Sequence, residues 1–302
     1  MTLGQITYLG WWWFRAKFFG RKAPLQSVVF VSDRCNLSCK HCTVYNHKDP
    51  VIKTYRQIKE ELEYCHSLGS RFVDFEGGEP TLWQDGDKTI DDLCDLAHEL
   101  GFFSCTITTN AQKSFKGSHA DSIWVSMDGA GEYHDRVRGK GTFERLEKNI
   151  AESGHDAVSV NMAVNVLNAD GVEEAIKYAA ENPYIDKISI NFHTPFPGSE
   201  ALALPWEKRQ EIIDMIIRYK KQHYPIMNTV TGLRHMRDLK FRKVCWMTNY
   251  VHTDGTRTPE CPGSVFVGVC EKCGFCMAGE ERAVVDLAPD TIFAGLNLRV
   301  KK

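Results

Sequence analysis

At 302 residues, with 43% hydrophobic and 25% charged side chains, the chain carries enough apolar material for one large α/β domain or two modest ones. A net charge of −2 and a pI near 6.6 argue against nucleic acid as the main partner, because a phosphate-binding surface shows as a basic excess. The cysteines are not spaced as a disulfide scaffold: Cys35, Cys39 and Cys42 form one tight cluster and Cys270, Cys273 and Cys276 another. In a chain without secretory features such clusters read as metal ligands in a reducing cytoplasm.

The first 26 residues form an aromatic and basic helix, in which Trp11, Trp12, Trp13, Phe14, Phe18 and Phe19 are interleaved with Arg15, Lys17, Arg21 and Lys22. Those cations interrupt any secretory signal, and no run reaches the roughly 20 apolar residues of a membrane span. The expected location is the cytoplasm. Rings with cations suit the inner face of a membrane, where a peripheral contact is one expectation. A strap across the bottom of a barrel, or a dimer contact, is the other.

From Val28 the pattern alternates. Strands are expected over 28–32, 72–75, 103–108, 123–126, 157–164 and 185–191, with helices over 54–68, 88–100, 143–153, 172–181 and 206–223. Gly69 and Gly101 stand where helices stop. Strand–helix units in series imply parallel strands with right-handed crossovers, fewer here than the eight that close a full barrel. The fold class is therefore α/β: a partial (β/α)6 TIM-type barrel over 27–235, then a small cysteine-rich C-terminal module over 236–302. That module has little periodicity and needs a staple, for which metal is the natural choice.

Cys35-Asn36-Leu37-Ser38-Cys39-Lys40-His41-Cys42 leaves the first strand with three thiols that can converge on one metal centre. A cubane iron–sulfur cluster normally takes four, so three leave one iron open to a ligand. A zinc knot with His41 as fourth ligand is the alternative. Glu76-Gly77-Gly78-Glu79-Pro80 follows the second strand; its glycines admit a close ligand and Glu79 adds a carboxylate, although alone it is a plain turn. Thr108-Thr109-Asn110 closes the third strand and Ser126-Met127-Asp128-Gly129 the fourth. Cys245, Cys261, Cys270, Cys273 and Cys276 make a second constellation around the hairpin signal Asp254-Gly255. Cys65, Cys94 and Cys105 lie in helix or strand patterns and read as buried apolar residues.

Taken in order, Cx3CxxC, GGEP, SMDG and the C-terminal cysteines resemble the radical S-adenosylmethionine (SAM) superfamily, with a C-terminal set similar to its SPASM and twitch auxiliary modules. The resemblance implies that Cys35, Cys39 and Cys42 hold a SAM-binding 4Fe-4S cluster. It implies that Gly77, Gly78, Glu79 and Pro80 meet the amino group of SAM and that Ser126 and Asp128 meet its ribose. Asn165 is a further SAM contact, and His41 sits where the family has an aromatic near adenine. Arg138 holds a carboxylate of SAM or substrate, or else a loop salt bridge. Cys245, Cys261, Cys273 and Cys276 hold an auxiliary 4Fe-4S cluster, with Cys270 the spare. An extra residue between Gly255 and Cys261 and the short CxxCxxC depart from the longer SPASM pattern, so one auxiliary cluster is expected rather than two, and zinc stays open there.

The activity implied is reductive cleavage of SAM to a 5′-deoxyadenosyl radical and hydrogen abstraction from an unactivated C–H bond. The auxiliary cluster would serve electron transfer or substrate binding, and flavodoxin or ferredoxin would be the electron donor. Gly20-Arg21-Lys22 and the aromatic leader are similar, more weakly, to lipid-directed members such as adenosylhopane synthase, which makes a lipid or isoprenoid the first substrate expectation. A peptide, or a sugar or cyclitol, is the alternative; an α/β leader-binding domain before Val28, which would favour the peptide, is not expected. The rival of a different class is a non-catalytic iron–sulfur or zinc-stapled binding protein.

Overall fold

The computed structural model describes residues 2–42 and 49–298. Helix α1, Leu3–Phe18, opens the chain on a Thr2–Gln5 capping box. Six strands then follow the apolar runs to within a few residues: β1 Gln26–Phe30, β2 Phe72–Glu76, β3 Ser104–Thr109, β4 Ser122–Ser126, β5 Val158–Val164 and β6 Lys187–Phe192. They pair in parallel and in sequence order. The crossovers are α2 Tyr55–Leu68, α3 Ile90–Glu99, α4 Glu132–Arg138, α5 Thr142–Glu152 and α6 Val172–Glu181, and α7 Trp206–Lys221 follows β6. Gly69 ends α2 at φ +115°, a left-handed stop that side-chain-bearing residues rarely adopt. The short α4 has no counterpart among the helices expected from the sequence.

The strands alternate. Val29, Phe75, Ile107, Ile123, Val125, Val160 and Ile190 are buried in the core shared with the helices, each contributing about 1.5–3 kcal/mol. The opposite faces carry Asp74, Glu76, Thr108, Ser126, Asn161 and Asn191, so the barrel interior is polar.

Beyond α8, Val230–Asp238, the chain returns to the sheet. Strand β7, Thr248–Val251, adds in parallel to the free edge of β1, and β8, Arg257–Thr258, folds back on it antiparallel. The order of the 8-stranded sheet is β8-β7-β1-β2-β3-β4-β5-β6. The other edge, β6, is covered by Met227, whose N–H donates to Ile188 O (2.8 Å), and by Gly274, whose carbonyl accepts from Phe192 N (2.9 Å). A Cβ on Gly274 would lie 2.0 Å from the Phe192 carbonyl oxygen, so no other residue fits. Helix α9, Met277–Val285, then packs on α8, and α10 spans Pro289–Leu298.

Helix α1 is a strap. Trp12 is buried against Val244, Met247 and Val285, and the Tyr8 hydroxyl donates to Gly69 O at 2.6 Å, both at the amino-terminal side of the sheet. No described helix is long and apolar enough to cross a membrane.

Candidate active site at the carboxyl ends of the strands

The cysteine loop leaves β1 and is braced by other strand ends. Lys40 N donates to Val137 O (3.0 Å), and Asn110 Nδ2, just past β3, donates to Asn36 Oδ1 (2.8 Å) and points at Cys35 Sγ (3.7 Å). Arg138 Nη1 lies 3.8 Å from Cys39 Sγ, and Leu37 N donates to Cys35 Sγ at 3.4 Å. Burial pushes the Cys39 thiol up to about 11, against the pull of Arg138, and raises Cys35 as well. Three buried or half-buried thiols, two of them facing the Arg138 cation, are a donor set suited to a cluster that takes them as thiolates. Among the described residues, no three Cys, His, Asp or Glu side chains are drawn in around a single metal ion.

The Gly77-Gly78 turn lies directly against that loop. Gly78 N donates to Ser32 O (2.6 Å) and Glu79 N to Arg34 O (2.8 Å). A Cβ on Gly77 would stand 2.2 Å from Ser32 O and one on Gly78 2.4 Å from Arg34 O, so backbone on both sides demands glycine. Glu79 is buried and its carboxylate takes four protein hydrogen bonds: Oε1 accepts from Thr81 N (3.1 Å), Thr81 Oγ1 (2.6 Å) and Thr109 Oγ1 (2.6 Å), and Oε2 from Asn110 N (2.7 Å). Pro80 opens the 3-10 turn that aims the Thr81 donors. Glu79 thus pins the GGEP loop to the end of β3.

Asp128 is fully buried and also committed. Oδ2 accepts from Arg138 Nε at 2.6 Å, Oδ1 from Ala163 N at 2.9 Å, and His41 Nε2 stands 3.7 Å from Oδ2. Burial works against its charged form, yet Arg138, His41 and His134 hold the carboxyl below the usual carboxylate range. Of the two readings for Arg138, the geometry is that of the salt bridge. Asn165 is buried with its amide on Ala163 O and its carbonyl accepting from Leu167 N, the grip of a turn. Ser126 is half-buried at the end of β4. His41 keeps Nδ1 without a hydrogen-bond partner, and burial lowers its pKa.

Sequence reasoning passed over Glu76, the first residue of the same loop. Its register partner on β1 is Phe30, whose ring stacks on His252 at 5.5 Å, so Glu76 belongs to the uppermost layer of the barrel interior. Burial raises its carboxyl to about 7. Tyr250, on the same face of β7, is held well above its ordinary value by burial and by Cys261, Glu281 and Glu76. The motif carried no signal for this, because only strand pairing turns Glu76 inward.

The second cysteine set closes the gap between β6 and β7. Cys276 N donates to Asn191 Oδ1 (2.8 Å) and Gly274 N to Thr194 Oγ1 (2.9 Å), which ties it to the end of β6. On the other side Thr248 Oγ1 donates to Glu281 Oε1 at 2.8 Å. Cys273 and Cys276 are buried, Cys245 and Cys261 half-buried, and Cys270 exposed. Burial pushes Cys245 and Cys276 up to about 12 and Cys261 to about 11, and Cys261, Cys273 and Cys270 all face Cys245.

The family model of the Radical SAM superfamily matches residues 29–179. Mycofactocin maturase MftC of Mycolicibacterium smegmatis is 29% identical over 170 residues, 53% of this chain and 43% of MftC. Fe-coproporphyrin III synthase of Methanosarcina barkeri is 28% identical over 210 residues, 63% of this chain and 50% of that enzyme. The chain thus spans about half the length of these curated relatives. Among solved structures, Streptococcus suis SuiB bound to S-adenosylmethionine superposes with a TM-score of 0.64 at 19% identity, over 89% of this chain and 67% of SuiB. SuiB bound to its precursor peptide SuiA superposes with a TM-score of 0.63 at 20% identity, over 93% of this chain and 68% of SuiB. That likeness is one of fold.

Proposed function

This chain belongs to the radical SAM superfamily, whose cofactors are a 4Fe-4S cluster and SAM, and from that premise we propose that it modifies a peptide by hydrogen abstraction at an unactivated C–H bond. A 4Fe-4S cluster and SAM held at this site would supply one-electron reductive cleavage of SAM, the source of a 5′-deoxyadenosyl radical. Cys35, Cys39 and Cys42 are the thiolates for that cluster. The backbone of Gly77 and Gly78 meets the amino group of SAM, while Glu79 and Pro80 hold that loop in place. Ser126 offers its hydroxyl to the ribose, and His41 its ring to adenine. Asp128 acts through Arg138, which stands between it and Cys39. Asn165 shapes the turn after β5. Glu76 faces the barrel interior and would accept the proton that a substrate radical sheds as its electron passes to the auxiliary centre. Cys245, Cys261, Cys273 and Cys276 hold an auxiliary cluster, with Cys270 outside it, and a flavodoxin or ferredoxin supplies the electrons.

The observation that carries this reading is the convergence of the cysteine loop, the GGEP loop and the end of β3 through the contacts of Gly78, Glu79 and Asn110. The peptide half is supported by SuiB, which shares the fold over most of this chain and is seen with a precursor peptide. The lipid or isoprenoid expectation has no such support. Iron counted after anaerobic reconstitution tests the clusters: about eight per chain, falling to about four in Cys35→Ala/Cys39→Ala/Cys42→Ala. Intact clusters that form no 5′-deoxyadenosine with SAM and a reductant defeat the enzyme reading. Deuterium reaching 5′-deoxyadenosine from a deuterated isoprenoid, and none from a deuterated peptide pool, defeats the peptide.

A second reading concerns location in the cytoplasm. The outer face of α1 exposes Trp11, Phe14, Phe18 and Phe19 beside Arg15, Arg21 and Lys22, the pairing that suits an anionic bilayer surface. Peripheral contact there leaves the strap in place, because Tyr8, Trp12 and Trp13 hold the body of the protein.

A further inference from the structure

Arg209, in the first turn of α7, is 5% exposed, and its guanidinium lies over the rings of Phe192 (5.0 Å) and Trp206 (5.2 Å). The guanidinium donates from Nη2 to Met236 O at 3.0 Å, and Nε is buried without a partner. The titratable groups that face it are Cys276 and Cys273, thiols that burial keeps protonated in the absence of a metal. A guanidinium stays protonated under these conditions, and a buried cation without a counter-charge is among the costliest features a fold can hold. Aromatic faces offset part of that cost. Neutral thiols at 273 and 276 offset none of it.

We propose that Arg209 is the counter-charge of the auxiliary centre, set against the thiolates of Cys273 and Cys276 and making that centre a better electron acceptor. This rests on the reading of Cys245, Cys261, Cys273 and Cys276 as cluster ligands. A cation facing two of the sulfurs stabilises the reduced, more negative state and raises the potential. At Cys273 Lys243 acts more strongly than Arg209, from near the surface where its ammonium also donates to Cys270 O at 2.8 Å, whereas Arg209 is the buried cation that faces Cys276 as well. The carboxyls acting in the opposite sense are Glu280, which faces Cys276 and is bonded to Thr229, and Glu281, which faces Cys245 and is bonded to Thr248. Of the CxxCxxC cysteines, the two buried ones, Cys273 and Cys276, face Arg209, and Cys270 is exposed. Sequence inspection offers no hint, since Arg209 sits in an ordinary amphipathic helix.

The test is potentiometric EPR on the anaerobically reconstituted full chain, as wild type, Arg209→Met and Arg209→Lys, with iron counted in each. The expected result for Arg209→Met is an auxiliary midpoint lowered by at least tenfold in the one-electron equilibrium constant (about 59 mV). The midpoint of the first cluster should be unmoved, and Arg209→Lys should recover part of the shift. Loss of the auxiliary irons alone in Arg209→Met supports the proposal equally. Should Arg209→Met not fold, Arg209→Gln takes its place with the same expectation. An auxiliary midpoint that stays put while its iron is retained overturns the proposal. Full iron retained in Cys273→Ala/Cys276→Ala instead overturns the ligand assignment beneath it, and the two failures are thereby distinguished.

Discussion

Replacing Arg138 with methionine removes the cation that faces Asp128 and leaves a carboxylate with no exposed surface. The Arg138 Nε to Asp128 Oδ2 contact is 2.6 Å, which puts the charge centres about 4 Å apart and their attraction near about 4 kcal/mol at an effective dielectric of 20. Breaking a buried pair from one side costs about 3–5 kcal/mol, because the remaining charge is stranded. Arg138→Met and Asp128→Asn should each lower stability by that much, and the double variant by clearly less than the sum. The penalty of Arg138→Met should shrink at acid pH. Without the guanidinium, His41 at 3.7 Å can take a proton and pair with Asp128. Urea midpoints of anaerobically reconstituted proteins, matched for iron content, give the thermodynamic cycle. A cost below about 1 kcal/mol, or strict additivity, would refute the claim that this pair is a buried, mutually dependent unit.

Glu76→Gln should leave SAM cleavage intact while slowing substrate turnover by about 10²–10⁴-fold above neutral pH. The wild-type rate should rise through pH about 7 as the carboxyl ionises, and a pH profile unchanged in the variant would count against the assignment. His134 is buried, and burial with Arg138 beside it holds its pKa at about 4. Between its ordinary 6.5 and that value only the unfolded chain takes the proton, so stability is complete above pH 6.5 and falls by about 3 kcal/mol on the way to pH 4. His134→Asn, compared with wild type by urea unfolding at pH 7 and pH 4, should lose less across that window. Gly78→Ala drives a Cβ into the Arg34 carbonyl oxygen at 2.4 Å, and should empty the first cluster while sparing the auxiliary irons, read by Mössbauer spectroscopy. Trp11→Ser/Phe14→Ser/Phe18→Ser should abolish sedimentation with anionic vesicles at unchanged stability; equal sedimentation would dismiss the membrane contact.

The strands and their order were legible because parallel barrel strands are buried runs between amphipathic helices, a signal carried locally by Val28–Val31 or by Ile185–Asn191. The cysteine spacing and the glycine pair were legible for a related reason. Ligand chemistry and close backbone approach restrict residue type at the position itself, and Gly77 against Ser32 is a direct case. The Asp254-Gly255 signal marked the turn that joins β7 to β8, but the pairing of Thr248–Val251 with β1 was not legible, since that segment has no periodicity of its own. What the tertiary structure alone decided is which polar groups remain available. Glu79 and Asp128 look alike in sequence as carboxylates at strand ends, yet each is engaged by protein donors brought from β3, β5 and α4. Glu76 and Arg209, unremarked in sequence, are left facing the barrel interior and the second cysteine set. Residue type and spacing record which chemistry a chain can perform; hydrogen-bond and charge balance are properties of neighbours distant in sequence, so only packing determines which of those groups is free to perform it.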